Sequence, residues 1–180
     1  SRIKPVFRQQ NGHISAASNS AMKVATGEYI GLLDHDDELT PHALYEVVAL
    51  INRHPEADMI YSDEDKRSLI GERTEPYFKP DWSPDTFLSR MYICHFGIYR
   101  RQIFEEIGGF RIGMEGSQDY DLVLRFTEKT QKIFHIPKIL YHWRVIESSV
   151  TSGAEAKPYA YEAAVKALEE ALVRRGEPGR

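Results

Sequence analysis

The chain has 180 residues, 42% of them hydrophobic and 28% charged, the mixture of a folded chain with room for one domain. Lys plus Arg number 23 against 27 Asp plus Glu, a net charge of −4, which excludes a general nucleic-acid binder with its basic face. One cysteine, Cys94, excludes a disulfide framework and a multi-thiolate zinc site. No apolar run reaches the roughly 18 residues of a bilayer span, and no secretory signal opens the chain. These bounds predict a soluble, intracellular globular unit.

In chain order, the small residues from Ser15 to Ala25 predict a helix that stops at Gly27. Tyr29 to Leu33 is a short apolar run that predicts a buried strand. The sequence then turns acidic at Asp34-His35-Asp36-Asp37. Thr40-Pro41 predicts a helix start, with the helix running to about Arg53 and burying Leu44, Val47, Val48 and Ile51. Asp58 to Ser62 predicts a second strand, ending in Asp63, Glu64 and Asp65. The prolines and aromatics of 66–90 predict a long ordered loop. Beyond it come a strand over Phe96–Tyr99, a helix from Arg101 to Ile107, a Gly108-Gly109 turn and a helix over 118–129. Two strands follow, Lys132–Ile136 and Ile139–Val145. A last helix, about Pro158 to Arg175, places Tyr161, Val165, Leu168 and Leu172 along one stripe. The alternation of strands and helices predicts an α/β layered fold.

Ligands of α/β sheets gather beyond the carboxyl ends of strands, where this sequence places Asp34, His35, Asp36 and Asp37. Closely spaced carboxylates suit a hard divalent cation with positions left for phosphate oxygens. Read alone, the tetrapeptide is equally a solvated turn before a helix. Its surroundings decide. Asn11-Gly12-His13 through Asn19, Gly27-Glu28-Tyr29-Ile30, and Leu33-Asp34-His35-Asp36-Asp37-Glu38-Leu39-Thr40-Pro41 resemble the inverting glycosyltransferase family 2 in order and spacing. Tyr61-Ser62-Asp63-Glu64-Asp65-Lys66, Phe78-Lys79-Pro80-Asp81-Trp82, Gly108-Gly109-Phe110, Gln118-Asp119-Tyr120-Asp121 and Tyr141-His142-Trp143-Arg144 look like its bacterial members that build cell-surface polysaccharides. The likeness runs over essentially all of residues 9–175.

The resemblance implies a partial GT-A fold (nucleotide-diphospho-sugar transferase-like), a mixed sheet flanked by helices. It implies a metal-dependent inverting transferase that moves a sugar from a nucleotide-diphosphate donor to a hydroxyl of a saccharide or lipid-linked saccharide acceptor. By the family's motifs Asp36 and His142 would bind Mn²⁺ or Mg²⁺. Asp34, Asp37, Asn19 and Arg144 would serve the donor, and Asp119 would be the general base. Inversion calls for one base opposite the leaving group, which fits a carboxylate at Asp119 after the run Gly113–Ser117. Gln118 stands where many members carry Glu. Asp121 is expected to support Arg125 or a backbone amide. Trp82, Tyr77 and Phe78 are either a sugar platform or simply packed, and Cys94 is expected to be a buried thiol.

A complete family member opens with a strand like Val-Ser-Ile-Ile-Ile-Pro and carries an Asp-Asp-Gly-Ser turn, and neither occurs here. Residues 1–180 therefore read as the C-terminal part of a single GT-A domain, truncated at its N-terminal side and lacking the base-recognition half. A non-catalytic glycan-binding or assembly module of the same ancestry stays open as the alternative. A metal-dependent phosphohydrolase fits the acidic strand end alone. The expected location is the cytoplasm or the inner face of the membrane, with the parent protein's membrane association left open.

Overall fold

The computed structural model describes residues 2–145 and 158–177, and the chain divides into two compact units. The first comprises 1–28, 101–131 and 154–180, and the second 29–100 and 132–153.

The second unit holds a six-stranded mixed sheet. Its strands are β1 (Tyr29–Gly31), β2 (Glu38–Leu39), β3 (Met59–Arg67), β4 (Arg73–Tyr77), β5 (Ile98–Arg100) and β6 (Ile133–Arg144). The order is β1-β5-β3-β6-β2, with β4 also paired to β3. Only β3 and β6 run parallel, from Met59 opposite Ile133 to Arg67 opposite Arg144. The residues expected to form two strands over 132–145 form one bulged strand instead. Its register jumps from Ser62↔Ile136 to Asp63↔Ile139, stepping over Pro137, which has no N–H to give the ladder. A Cβ on Gly31 would lie 3.1 Å from the Phe96 ring, so a larger residue there requires that ring to give by a few tenths of an ångström.

Helix α2 (Ala43–Arg53) covers this sheet, and its start and its face both differ from the expected ones. The N-cap is His42, because the Thr40 carbonyl closes a turn by accepting from the Ala43 N–H at 3.0 Å. Ala43, Val47 and Leu50 are buried, whereas Leu44 and Val48 are 65% and 54% exposed. Small Ala43 lets the helix approach Ile60 and Leu140 in one core. The expected loop over 66–90 is also more ordered than its prolines suggest. It contains β4, hairpin-paired to β3, and the short helix α3 (Pro84–Ser89).

The first unit is helical, with α1 (His13–Met22), α4 (Arg101–Glu106), α5 (Gln118–Thr127) and α6 (Pro158–Arg174). Every residue of α5 from Tyr120 to Thr127 is buried, so it is the central helix of this unit. Helix α6 packs on α5 through Ala163, Ala167 and Ala171 rather than the large residues of the expected stripe. Tyr161 is 75% exposed. Spacing of four residues makes the alanines a narrow seam along which the backbones approach closely. Asp121 joins the pieces, paired to Arg125 at 2.7 Å and to Arg111. Arg125 in turn donates to the Ile107 and Gly109 carbonyls, both at 2.7 Å, tying down the Gly108-Gly109 turn. Burial works against charge on Asp121, but the two guanidiniums outweigh it and hold the carboxyl below its usual value.

Candidate functional site

Strand β1 ends at Gly31 and delivers Asp34 to Asp37 to the sheet edge, where the Asp37 N–H closes a turn on the Asp34 carbonyl at 3.3 Å. The end of β6 holds this turn from below. Tyr141, fully buried, donates its hydroxyl proton to Asp37 Oδ2, and the Arg144 N–H donates to Asp37 Oδ1 at 2.9 Å. The Arg144 guanidinium donates to the Asp36 carbonyl oxygen. Asp37 and Arg144, both expected at the donor, are thus neighbours. The Asp36 carboxylate lies 3.5 Å from the His35 imidazole. Among the described residues, no lysine or arginine pairs with the carboxylates of Asp34, Asp36 or Asp37.

A residue that the sequence did not single out completes the cluster. The ligand atoms of Asp34, Asp37 and His95 all lie within 4.8 Å of one another. His95 Nε2 is 3.7 Å from Asp34 Oδ2, and its ring stacks on Tyr141 with centroids 4.6 Å apart. Burial pulls the imidazole toward neutrality, but the carboxylates of Glu64 and Asp34 outweigh it, so its pKa is raised. Asp34 is raised as well, chiefly by desolvation, with Asp37 and Asp36 adding repulsion and His95 opposing. Only spatial proximity reveals His95. In the sequence it sits in an unmarked loop after Cys94, which is itself half-buried.

The second acidic run is built differently. The sequence reading ended a strand at Ser62, yet β3 continues through Asp63, Glu64 and Asp65, which are only 2%, 7% and 3% exposed. Each has its own partners. Asp63 meets His135 at 2.8 Å and the Lys79 N–H at 2.9 Å. Asp65 pairs with Arg73 at 2.6 Å and His142 at 2.5 Å. Glu64 accepts from Lys79 Nζ at 2.9 Å and from the His95 N–H at 2.8 Å.

His142, expected to close a metal shell, is therefore buried with its Nδ1 on Asp65. Asn19, expected at the donor, lies in the helical unit with its amide engaged. It donates to the Phe110 carbonyl at 2.7 Å and accepts from the Phe110 N–H at 2.9 Å, a pair of hydrogen bonds to the backbone after the Gly-Gly turn. Asp119 sits half-buried in the first turn of α5 in the same unit, with Oδ1 accepting from the Tyr120 N–H at 2.8 Å. Of the aromatics, Trp82 packs on Phe87 and Tyr92. The Tyr77 hydroxyl accepts from Arg90 at 2.8 Å, and Phe78 is 68% exposed. Among the described residues, no helix is long and apolar enough to cross a membrane.

Similarity to solved structures defines the fold. Staphylococcus aureus TarS in complex with UDP-GlcNAc matches with a TM-score of 0.64 at 17% identity, over 94% of this chain and 54% of that one. The mannosyltransferase PcManGT of Pyrobaculum calidifontis, in complex with GDP-Man and Mn²⁺, matches at 0.55 and 14% identity, over 97% and 58%. The fold is that of the GT-A glycosyltransferases. The sequence profile described as Glycosyl transferase family 2 matches residues 1–108, and the chain belongs to that family. The O-antigen biosynthesis protein RfbC of Myxococcus xanthus is 40% identical over 98% of this chain, but the chain covers 14% of RfbC. The chain spans less than a fifth of the length of the first curated relatives it matches.

Proposed function

We propose that the protein containing this chain is a metal-dependent, inverting glycosyltransferase of polysaccharide biosynthesis, and that these residues belong to its GT-A domain. The observation that carries the reading is the turn Asp34–Asp37, whose carboxylates gather at a strand end with no lysine or arginine side-chain partner among the described residues. Such a turn suits Mn²⁺ or Mg²⁺, ions that take carboxylate oxygens and keep positions for phosphate. The nucleotide sugars and Mn²⁺ bound by the structural neighbours support a nucleoside-diphosphate sugar as donor. The name of the relative RfbC supports a glycan acceptor, free or lipid-linked.

The roles follow from the chemistry. Asp36 would be a direct ligand of the cation, which would supply positive charge opposite the departing diphosphate. Asp34 and Asp37 flank it on the donor side, and Arg144, whose Nε reaches the turn and whose Nη1 lies 3.8 Å from Glu38, offers its guanidinium to phosphate oxygens. The acceptor oxygen attacks the anomeric carbon as the bond to the diphosphate oxygen breaks, and Asp119 takes the acceptor's proton. Asn19 contributes indirectly, by fixing the Phe110 backbone.

The test is sugar transfer by the whole protein from UDP- and GDP-linked sugars, with Mn²⁺ and with the metal chelated. Transfer with inversion that chelation abolishes is the expected result. Saccharide binding that ignores metal, with no transfer from any donor, would favour a non-catalytic glycan-binding module instead.

A further inference from the structure

His95 stands out because its surroundings hold it for a purpose its own packing does not require. Its Nε2 faces Asp34 Oδ2 at 3.7 Å, while its Nδ1 faces Glu64 Oε2 at 3.3 Å. That Nδ1 is buried, yet the angle to Glu64 is too poor for a full hydrogen bond. Metal-binding imidazoles are ordered in this way, with one nitrogen on the ion and the other turned to a carboxylate that sets ring orientation and basicity.

Behind Glu64 lies Lys79, whose ammonium is shut off from solvent. It donates to Glu64 at 2.9 Å, to the Ser62 carbonyl at 2.7 Å, to the Ile93 carbonyl at 2.5 Å and to the His95 carbonyl. Four oxygens surround three protons, and two of them belong to the loop that carries His95. The Glu64 carboxylate also accepts from the His95 N–H at 2.8 Å. One buried ion pair therefore grips the histidine's backbone on both sides and sets a carboxylate 3.3 Å from one edge of its ring. A lysine is costly to bury and needs a full complement of acceptors, and here that complement is the His95 loop.

His142 satisfies half of the same rule, since its Nδ1 rests on Asp65. Among the described residues, however, it belongs to no trio of metal-ligating atoms, whereas Asp34, Asp37 and His95 form one. Bonds of about 2.1 Å to one ion keep two ligand atoms within about 4.2 Å. The 4.8 Å span of this trio closes to that with small side-chain rotations.

We propose that His95 supplies the nitrogen ligand of a divalent cation shared with Asp34 and Asp37, and that Glu64 and Lys79 are positioning residues for its ring. The proposal rests on the metal-dependent reading above and deepens it by naming a ligand. It leaves Asp36 free to meet the same ion from the turn.

The test uses Mn²⁺ alone with the whole protein, followed by electron paramagnetic resonance. Bound Mn²⁺ should show nitrogen modulation in pulsed spectra. His95→Gln should remove that modulation and weaken Mn²⁺ binding by about tenfold or more, while His142→Gln should keep both. Glu64→Gln should keep the modulation and weaken binding by about tenfold. In the unsubstituted protein, Mn²⁺ should broaden the ring resonances of His95 before those of His142, which answers the question should a variant fail to fold. Modulation that survives His95→Gln and vanishes in His142→Gln, or no nitrogen coupling at all, overturns the ligand assignment and leaves the cation reading standing. Unchanged affinity in Glu64→Gln overturns the positioning role. Failure of the unsubstituted protein to bind Mn²⁺ overturns both readings.

Discussion

The sheet unit carries two acidic runs that look alike in sequence and are opposites in structure. Asp63, Glu64 and Asp65 lie inside β3, buried and matched to Lys79, Arg73, His135 and His142. Asp34, Asp36 and Asp37 lie on a turn beyond β1, braced by a tyrosine hydroxyl and a backbone N–H and facing His35 and His95. Buried carboxylates survive only where partners and hydrogen bonds replace the lost water. A run that brings its own cations is therefore architecture. A run without them can take a cation from solution, and its position at a strand's carboxyl end is where α/β sheets bind ligands.

This contrast can be broken most directly by substitution. In the whole protein, Asp36→Ala should lower metal-dependent sugar transfer by about a hundredfold or more, since metal stabilisation of the leaving group is worth several kcal/mol. Its thermal midpoint should stay within a degree or two of the parent, about the shift of a surface change. A transfer rate near the parent's would erase the distinction between the runs. Asp119→Asn should lower transfer by about 10²–10⁴-fold, the usual contribution of a general base, while UDP or GDP binding measured by calorimetry is unchanged.

Substitution in the buried run should read out as stability. Lys79→Met leaves Glu64 without its ammonium and should cost about 3 kcal/mol in urea unfolding. A loss below about 0.5 kcal/mol, the level of a surface substitution, would mean the pair is not architectural. The smallest effect is with pH. The carboxyls of Glu64 and Asp121 are held below their usual values, against the burial of each, by Lys79 and His95 for the first and by Arg111 and Arg125 for the second. Groups with lowered folded pKa values stabilise the fold above the ordinary carboxylate value of about 4. That contribution is lost as pH falls through the folded values. Asp121→Asn should flatten the acid limb of the stability curve, and an unchanged limb would remove Asp121 from the account.

Local patterns were legible and distant partnerships were not. The turn at Asp34–Asp37 and the helix start at Asp119 could be read because their signal lies within a few adjacent residues. Asp63–Asp65 reads as an acidic strand end for the same reason. Their neutralising Lys79, Arg73, His135 and His142 come from other segments, and only the β3–β6 and β3–β4 pairings assemble them. His95 was invisible on the same principle. The face of α2 was legible at Val47 and Ile51 but not at Ala43 and Leu50, and in α6 an alanine seam of Ala163, Ala167 and Ala171 is buried in place of the large side chains. Hydrophobic size signals burial less well than closeness of approach. Asn19 carried the family's motif, yet its amide is engaged by the Phe110 backbone, a role that no local spacing announces.

The central claim is that the turn at Asp34–Asp37 takes up a cation that joins the donor diphosphate to the protein. Calorimetric titration of UDP and of GDP into the whole protein, with and without Mn²⁺, tests it most directly. The account predicts that at least one nucleotide binds with Mn²⁺ and loses most of its affinity without the metal or with Asp36→Ala. Equal binding of both nucleotides in the presence and absence of Mn²⁺ would contradict it.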